Sequence, residues 1–393
     1  MNRDQPYEMQ VKNRNLFRLN RFILLKLPLL LQLLAKFRKS EKKILVIKTD
    51  AIGDYVLFRN FLQELKNDDL YSNYQIDLLG NELWQEASLL YDKAYISNFY
   101  FINASKFYER PGLVLKLGWK LFCGNYAYVL QPSYTRTFIN DGLAALTAGK
   151  TIIGFKGDTE AIVKKLKTKT DRFYHRLIHL PENVYFEFDR TRLFFETFLN
   201  HPICLNGPSL PVKKEAKNYI AFCLGAGNVK RGWPAKNFLS LAQFILINTS
   251  YEVCLLGGPE AAEDAAFIQN GLASERVKNY CQQTTIPEFV NYIAQSVLVI
   301  CNETSPAHIA SACGKQTVSI LGGGHFRRFA PYPGHLANRP TFIFEKMPCY
   351  YCNWLCKYET SLEEPFPCIS IVNLNAVWTA VLQQLNLGAS STD

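Results

Sequence analysis

Four segments of the chain hold side chains whose types and spacing could do chemistry. The first is Lys48-Thr49-Asp50-Ala51-Ile52-Gly53-Asp54, which closes the apolar run 44–48 and opens a helical pattern. A carboxylate at the carboxyl edge of a parallel sheet, as Asp54 would be, can act as general base on a hydroxyl; the same position equally suits a helix-capping aspartate. The second is Gly225-Ala226-Gly227-Asn228-Val229-Lys230-Arg231-Gly232-Trp233-Pro234, again directly after a strand-like run. Its glycines permit close backbone approach to a phosphate and its two bases supply charge, while Pro234 suits the first turn of a helix. An ordinary basic strand-to-helix loop is the bland alternative.

The third segment is Asn302-Glu303-Thr304-Ser305-Pro306-Ala307-His308. Ser305 reads as an N-cap and Pro306 as the first helical residue, and the free N–H groups of such a start suit a diphosphate. His308, in the first turn, is within reach of a phosphate or sugar, although a lone histidine is more often structural. The fourth is Cys349-x2-Cys352-x3-Cys356-x11-Cys368. Four thiols in twenty residues either close a tetrahedral zinc site or pack as free thiols among Tyr350, Tyr351 and Trp354.

The elements that must position these groups alternate in type. Short β-rich runs at 44–48, 76–79, 126–130 and 151–155 are separated by helical patterns, of which Leu57, Phe58, Phe61, Leu62 and Leu65 is one. The rhythm stops in a polar, basic stretch at 168–192 and resumes after the proline-rich segment 201–217, which reads as a linker. A second series follows at 219–224, 251–258, 296–302 and 317–324. Two doubly wound α/β domains facing one another are expected, with the cleft between them as the ligand site. Three spans result: an N-terminal basic and apolar helical extension (1–42), a Rossmann-like domain (43–205), and a second Rossmann-like domain (206–393) that includes the cysteine cluster at 349–368.

Composition sets outer limits. The 393 residues are 48% hydrophobic and 20% charged, which excludes disordered, collagen-like and disulfide-miniprotein classes. A net charge of +10 favours anionic partners. The bases are dispersed and form no recognisable nucleic-acid motif, so nucleic acid is not expected as a partner. Eleven cysteines, most of them single within apolar runs, point to reduced thiols and a cytoplasmic compartment. Within the extension, residues 22–37 form an apolar run broken by Lys26, Pro28 and Gln32 and flanked by bases, too short to span a bilayer. It reads either as a helix lying on an anionic membrane surface or as one packed on the protein body. Dinucleotide and P-loop fingerprints fail: Gly225-x-Gly227 and Gly322-x-Gly324 are followed by Lys230 and Arg327 where a third glycine belongs, and Ala144 takes the place of the glycine that should precede Gly149-Lys150-Thr151.

Taken in this order, the segments resemble glycosyltransferase family 9, the ADP-heptose:lipopolysaccharide heptosyltransferases and their relatives. KTDAIGDYV (48–56) is similar to the family's K-x-x-x-(L/I)-G-D-x segment, and GAGNVKRGWPAKNF (225–238) to its G-A-x-x-x-x-K-x-W-P segment. LLGGPE (255–260) matches its strand and GGP turn, and the stretch 301–323 resembles its N-D-(T/S)-G-P-x-H segment with the strand beyond. The resemblance implies a GT-B fold, acceptor mainly on the first domain, nucleotide-sugar donor mainly on the second, and inverting transfer without an obligatory metal or other cofactor. By motif, Asp54 would be the general base, with Lys48 and Gly53 on the acceptor side. Gly225, Ala226, Gly227, Lys230, Arg231, Glu303, Thr304, Ser305 and His308 would bind the donor, an ADP-heptose-like nucleotide sugar. The implied acceptor is a lipopolysaccharide or other lipid-linked glycan, and the implied place of work is the cytoplasmic face of the inner membrane.

Departures from the pattern shape the expectation. Arg231 occupies the family's lysine position with Lys230 one residue away, Glu303 replaces an aspartate, Ser305 a glycine, and Lys315-Gln316-Thr317 the usual proline-valine pairing. Glycosyl transfer is therefore expected ahead of any particular sugar. A transferase using a UDP-sugar and a catalytically inert relative that binds glycan or membrane are the alternatives.

Overall fold

A computed structural model describes residues 6–213, 215–361 and 363–387, so the outermost parts of the spans 1–42 and 206–393 lie outside the described residues. The chain divides into two compact units, Met1–Cys204 and Leu205–Asp393. Each is built on one six-stranded sheet in which every pairing is parallel.

In the first unit the strands are β1 (Glu41–Ile47), β2 (Gln75–Asn81), β3 (Asn98–Ile102), β4 (Tyr126–Gln131), β5 (Thr151–Phe155) and β6 (Arg176–Ile178), in the order β3-β2-β1-β4-β5-β6. The second unit has β7 (Tyr219–Cys223), β8 (Glu252–Leu256), β9 (Val277–Asn279), β10 (Leu298–Asn302), β11 (Thr317–Ile320) and β12 (Thr341–Ile343), in the order β12-β11-β10-β7-β8-β9. Counted within its own unit, the second sheet repeats the order of the first. That is the Rossmann winding, in which strand order reverses between the first and fourth strands and a crevice opens at their carboxyl ends. Here the reversals fall between β1 and β4 and between β7 and β10.

The central strands are continuous apolar runs because helices cover both of their faces: Ile44, Leu45, Val46 and Ile47 of β1 are all fully buried. The helices that matter below are α1 (Arg14–Ala35), α2 (Ile52–Phe58), α3 (Pro111–Phe122), α4 (Phe138–Leu146), α5 (Glu187–Leu199) and α6 (Ser305–Ala312). Four strands escape the sequence reading, namely β3, β6, β9 and β12, and they are the four sheet edges. An edge strand is covered less completely, and these carry mixed exposure over three to five residues, so neither a buried run nor a clean alternation marks them. One of them, β6, lies inside the basic stretch 168–192, where the sequence shows no β/α rhythm.

Helix α1 runs longer than its apolar core, because Asn13 caps it by accepting from the N–H groups of Asn15 and Leu16. It packs on the first unit: Phe17, Ile23, Leu24, Leu25 and Leu31 are buried in that unit's core, and a Cβ on Gly142 of α4 would come within 2.5 Å of Leu24.

Candidate functional site

At the first reversal, the loop from β1 into α2 is held from several sides. Thr49 donates its hydroxyl to Asn140 Oδ1 (2.9 Å), and its carbonyl accepts from Asn81 Nδ2 (2.8 Å). The Asp50 carbonyl accepts from Trp84 Nε1 (3.0 Å), and Asp50 Oδ2 accepts from Ser133 Oγ (2.6 Å). Ser133 follows β4, so this last bond spans the crevice mouth where the strand order turns. Lys48, 1% exposed, lies 2.8 Å from Asp50 Oδ2 and 3.8 Å from Glu187 Oε1 at the start of α5. Burial alone would lower the lysine's pKa, but Asp50, Glu187 and Asp54 outweigh it and hold the ammonium above its ordinary value.

Asp54 is half-buried in the first turn of α2, where the helix dipole and the nearby Lys48 charge both favour its carboxylate. The helix beneath it is anchored by Asp92, which is fully buried. Asp92 accepts from Tyr55 (2.6 Å), from Arg59 Nε and Nη2 (3.0 and 2.8 Å) and from Ser88 (3.1 Å), while the Tyr55 ring stacks on Trp84 at 4.5 Å. Lys48, Gly53 and Asp54 are thus gathered at one reversal point. Ser133 and Glu187 join them from distant parts of the sequence, and no local motif marks either.

The second reversal carries the donor-type motifs. Asn302, the last residue of β10 and fully buried, donates to the Leu224 carbonyl (2.8 Å) and accepts from the Trp233 N–H (2.9 Å). One amide therefore ties both ends of the loop 225–232 to the neighbouring strand. Thr304 donates to the Gly225 carbonyl at 3.3 Å, and Gly227 adopts φ +69°, a conformation that favours glycine. The Trp233 indole donates to the Val372 carbonyl (3.1 Å). Ala226 is buried within this loop.

The two bases part company. Lys230 donates to the Thr360 carbonyl and hydroxyl (3.2 and 3.0 Å), whereas Arg231 lies with its guanidinium 4.3 Å from the centre of the Trp354 ring and interacts with the Glu303 carboxyl. Glu303 is 7% exposed, and its Oε2 has no hydrogen-bond partner among the described residues. Burial pushes its pKa up to about 7, with Arg231 pulling the other way.

One expectation for this region needs correcting. The N-cap of α6 is Thr304, with Ser305 and Pro306 as the first two helical residues, because Thr304 still has extended backbone angles. His308 is buried with Nδ1 2.9 Å from the Tyr332 hydroxyl, and burial pushes its pKa down to about 4, so it stands as a neutral ring with a protein partner.

The cysteine lobe explains the glycine run that ends β11. A Cβ on Gly322 or Gly324 would come within 2.6 or 2.2 Å of the Trp354 ring, and one on Gly323 within 2.3 Å of Tyr350. The lobe docks by donating the Tyr351 and Asn353 N–H groups to the carbonyls of Gly323 and Gly324. Cys349, Cys352, Cys356 and Cys368 line a small cavity together with Trp354 and Phe366. Among the described residues no group of three or more His, Cys, Asp or Glu side chains is arranged to hold a metal ion. Burial raises the Cys368 pKa to about 11, the state of a packed neutral thiol.

The family model for glycosyltransferase family 9 (heptosyltransferase) matches residues 195–353. Lipooligosaccharide heptosyltransferase 2 of Campylobacter jejuni is 27% identical over 205 residues, covering 49% of this chain and 63% of that protein, less than two thirds of its length. Among solved structures, the E. coli ADP-heptose lps heptosyltransferase II superposes with a TM-score of 0.65 at 18% identity, covering 88% of this chain and all of that one. The E. coli heptosyltransferase WaaC with ADP does so with the same TM-score at 14% identity, covering 87% and 99%. The structures establish the two-sheet GT-B fold. In sequence, residues 195–353 of the chain are similar to glycosyltransferase family 9.

Proposed function

We propose that the protein transfers a heptose-like sugar from a nucleoside-diphosphate donor to a hydroxyl of a lipopolysaccharide or related lipid-linked glycan. The observation that carries this reading is the second reversal point, where Arg231 stands beside Glu303 and the start of α6, on a loop pinned by Asn302. A guanidinium and a helix N-terminus are the groups a leaving diphosphate requires, since negative charge builds there as the glycosidic bond breaks. Relatives named as lipooligosaccharide heptosyltransferase and a fold neighbour solved with ADP support the substrate class.

In the proposed step, Asp54 takes the proton of the acceptor hydroxyl as that oxygen attacks the anomeric carbon. The bond from that carbon to the diphosphate breaks, and the nucleoside diphosphate leaves with the electron pair. A single displacement inverts the anomeric centre. Lys48 interacts electrostatically with Asp54, and the cation at the leaving group is Arg231, so the reading requires no metal. Lys230, already engaged with Thr360, takes no part. The cytoplasm suits this chemistry, and none of the eleven cysteines is in a disulfide.

Thermal stabilisation of the wild type by ADP, UDP, GDP and CMP tests the donor side. ADP is expected to stabilise it selectively, with the effect lost in Arg231→Ala and kept in Lys230→Ala. Stabilisation by UDP instead would replace the donor, and none by any nucleotide would favour an inert relative. Asp54→Asn is expected to keep nucleotide binding and lose transfer; full activity in that variant would remove Asp54 as the base.

A further inference from the structure

Helix α1 is apolar on two opposite faces, and the first unit covers only one. The inner face is firmly seated: Asn20 donates to the carbonyls of Phe107 and Tyr108 (2.6 and 2.9 Å). Arg172 donates to the Leu25 carbonyl (3.1 Å) in the turn loosened by Pro28. The outer face shows Leu19, Phe22, Leu29, Leu30 and Leu33 to solvent, with Phe22 63% and Leu33 55% exposed. These positions fall on one side of the helix at spacings of three and four, with Lys26 the one charge among them. The stripe runs from Leu19 to Leu33, about 22 Å of helix, and an exposed apolar stripe of that length is unusual on a soluble surface.

The charge along the helix itself is of one sign. Between Met9 and Ser40 there is no acidic residue, whereas Lys12, Arg14, Arg18, Arg21, Lys26, Lys36 and Lys39 are all exposed. The neighbouring helix α3 continues the pattern, with Leu115 and Trp119 exposed at a spacing of four and Lys116 and Lys120 beside them. Arg38 joins the ends of the two helices by lying over the Phe122 ring at 3.8 Å, and Phe122 in turn meets Trp119 at 5.6 Å. Leucine and phenylalanine inside a basic margin, with a tryptophan at the rim, match the boundary between lipid headgroups and acyl chains. No helix among the described residues is long and apolar enough to cross a membrane.

We propose that the outer faces of α1 and α3 form a docking surface for an anionic lipid bilayer, on which α1 lies flat with Phe22, Leu29, Leu30 and Leu33 among the acyl chains. Bases flanking the stripe pair with lipid phosphates, and Lys26 extends its stem to bring its ammonium back to the headgroups. The proposal is independent of the transfer reaction, since vesicle binding needs neither donor nor acceptor.

Flotation of the full chain with vesicles tests it, comparing neutral phosphatidylcholine with a mixture containing phosphatidylglycerol. Wild type is expected to float with the anionic vesicles, less so as salt rises and weakly with neutral ones. Phe22→Glu/Leu33→Glu is expected to lower partitioning roughly 100-fold. Its melting temperature should stay unchanged, because both side chains are exposed. Ile247→Glu, at an exposed apolar position of the second unit, should float as wild type does. Arg18→Gln/Arg21→Gln/Lys36→Gln, which leaves the apolar face intact, should bind more weakly and with a reduced salt dependence. Equal flotation of the Glu variant and wild type overturns the proposal. So does a wild type that stays unbound while forming a concentration-dependent dimer that the Glu variant abolishes, which would give the surface to a second copy of the chain.

Discussion

Glu303→Gln offers a quantitative test of the second reversal point. In the folded protein the Glu303 carboxyl titrates near pH 7, against an ordinary value of 4.5, because burial outweighs the pull of Arg231. A carboxyl raised in this way binds its proton more tightly folded than unfolded. Its contribution to stability is complete below pH 4.5, falls as pH rises, and is lost above about pH 7. A rise of that size amounts to about 3 kcal/mol. Glutamine never ionises, so the variant escapes the loss, less whatever Arg231 gives up with its partner. At pH 8 the variant's second unit should melt roughly 6–10 °C above wild type, and at pH 4.5 the two should nearly coincide. Glu8, also buried and pushed up to about 7, adds a slope of its own in the same window, but that slope is common to both proteins and cancels in the difference. Differential scanning calorimetry from pH 4.5 to 8.5 reads this directly. Parallel melting curves would refute the reasoning, because they would mean that Glu303 is either solvated or fully paired.

Further outcomes follow from the two clusters. Lys48→Met leaves Glu187 and Asp50 without their shared cation in a buried setting, and should cost the first unit about 3–5 kcal/mol by urea denaturation; a loss under 1 kcal/mol would show that the carboxylates find other partners. Trp354→Ala removes the ring over which Arg231 lies and empties the surface of the glycine run, so a loss of about 3–5 kcal/mol is expected. Trp354→Phe should keep ADP affinity within about threefold of wild type and Trp354→Ala should lower it about tenfold, as read by calorimetric titration. Equal affinities would confine Trp354 to a packing role.

The sequence shows the strand ends clearly, and with them most of the candidate groups. Asp54, Arg231 and Glu303 each follow a central strand that ends in at least four consecutive buried residues, and that mostly apolar run announces both the strand and the turn after it. Partners drawn from elsewhere were not legible. Ser133 comes from a loop with no motif, Glu187 from within the polar, basic stretch 168–192, and Asn302's two bonds depend on which strands neighbour one another. The glycines at 322–324 illustrate the same limit. Their spacing matches two of the three glycines of a dinucleotide fingerprint, yet what they accommodate is Trp354 and Tyr350, and only three-dimensional proximity links those residues. The edge strands stayed hidden because a strand flanked on one side carries a weaker pattern than one flanked on both.

The ties on the loop 225–232 also bear on when it can form. Lys230's carbonyl waits for the N–H of Phe366, and the Trp233 indole for the carbonyl of Val372, 139 positions further on. On the ribosome the first unit has its whole sheet long before those partners are made, since a chain emerges and folds from its N-terminal end. A nascent protein therefore acquires the cluster around Asp54 early and completes the loop 225–232 late, after the cysteine lobe has followed β12 out. Until then the loop's bases are present without the contacts that hold them, so an interrupted chain would carry a finished first half and an unordered loop at the second reversal point.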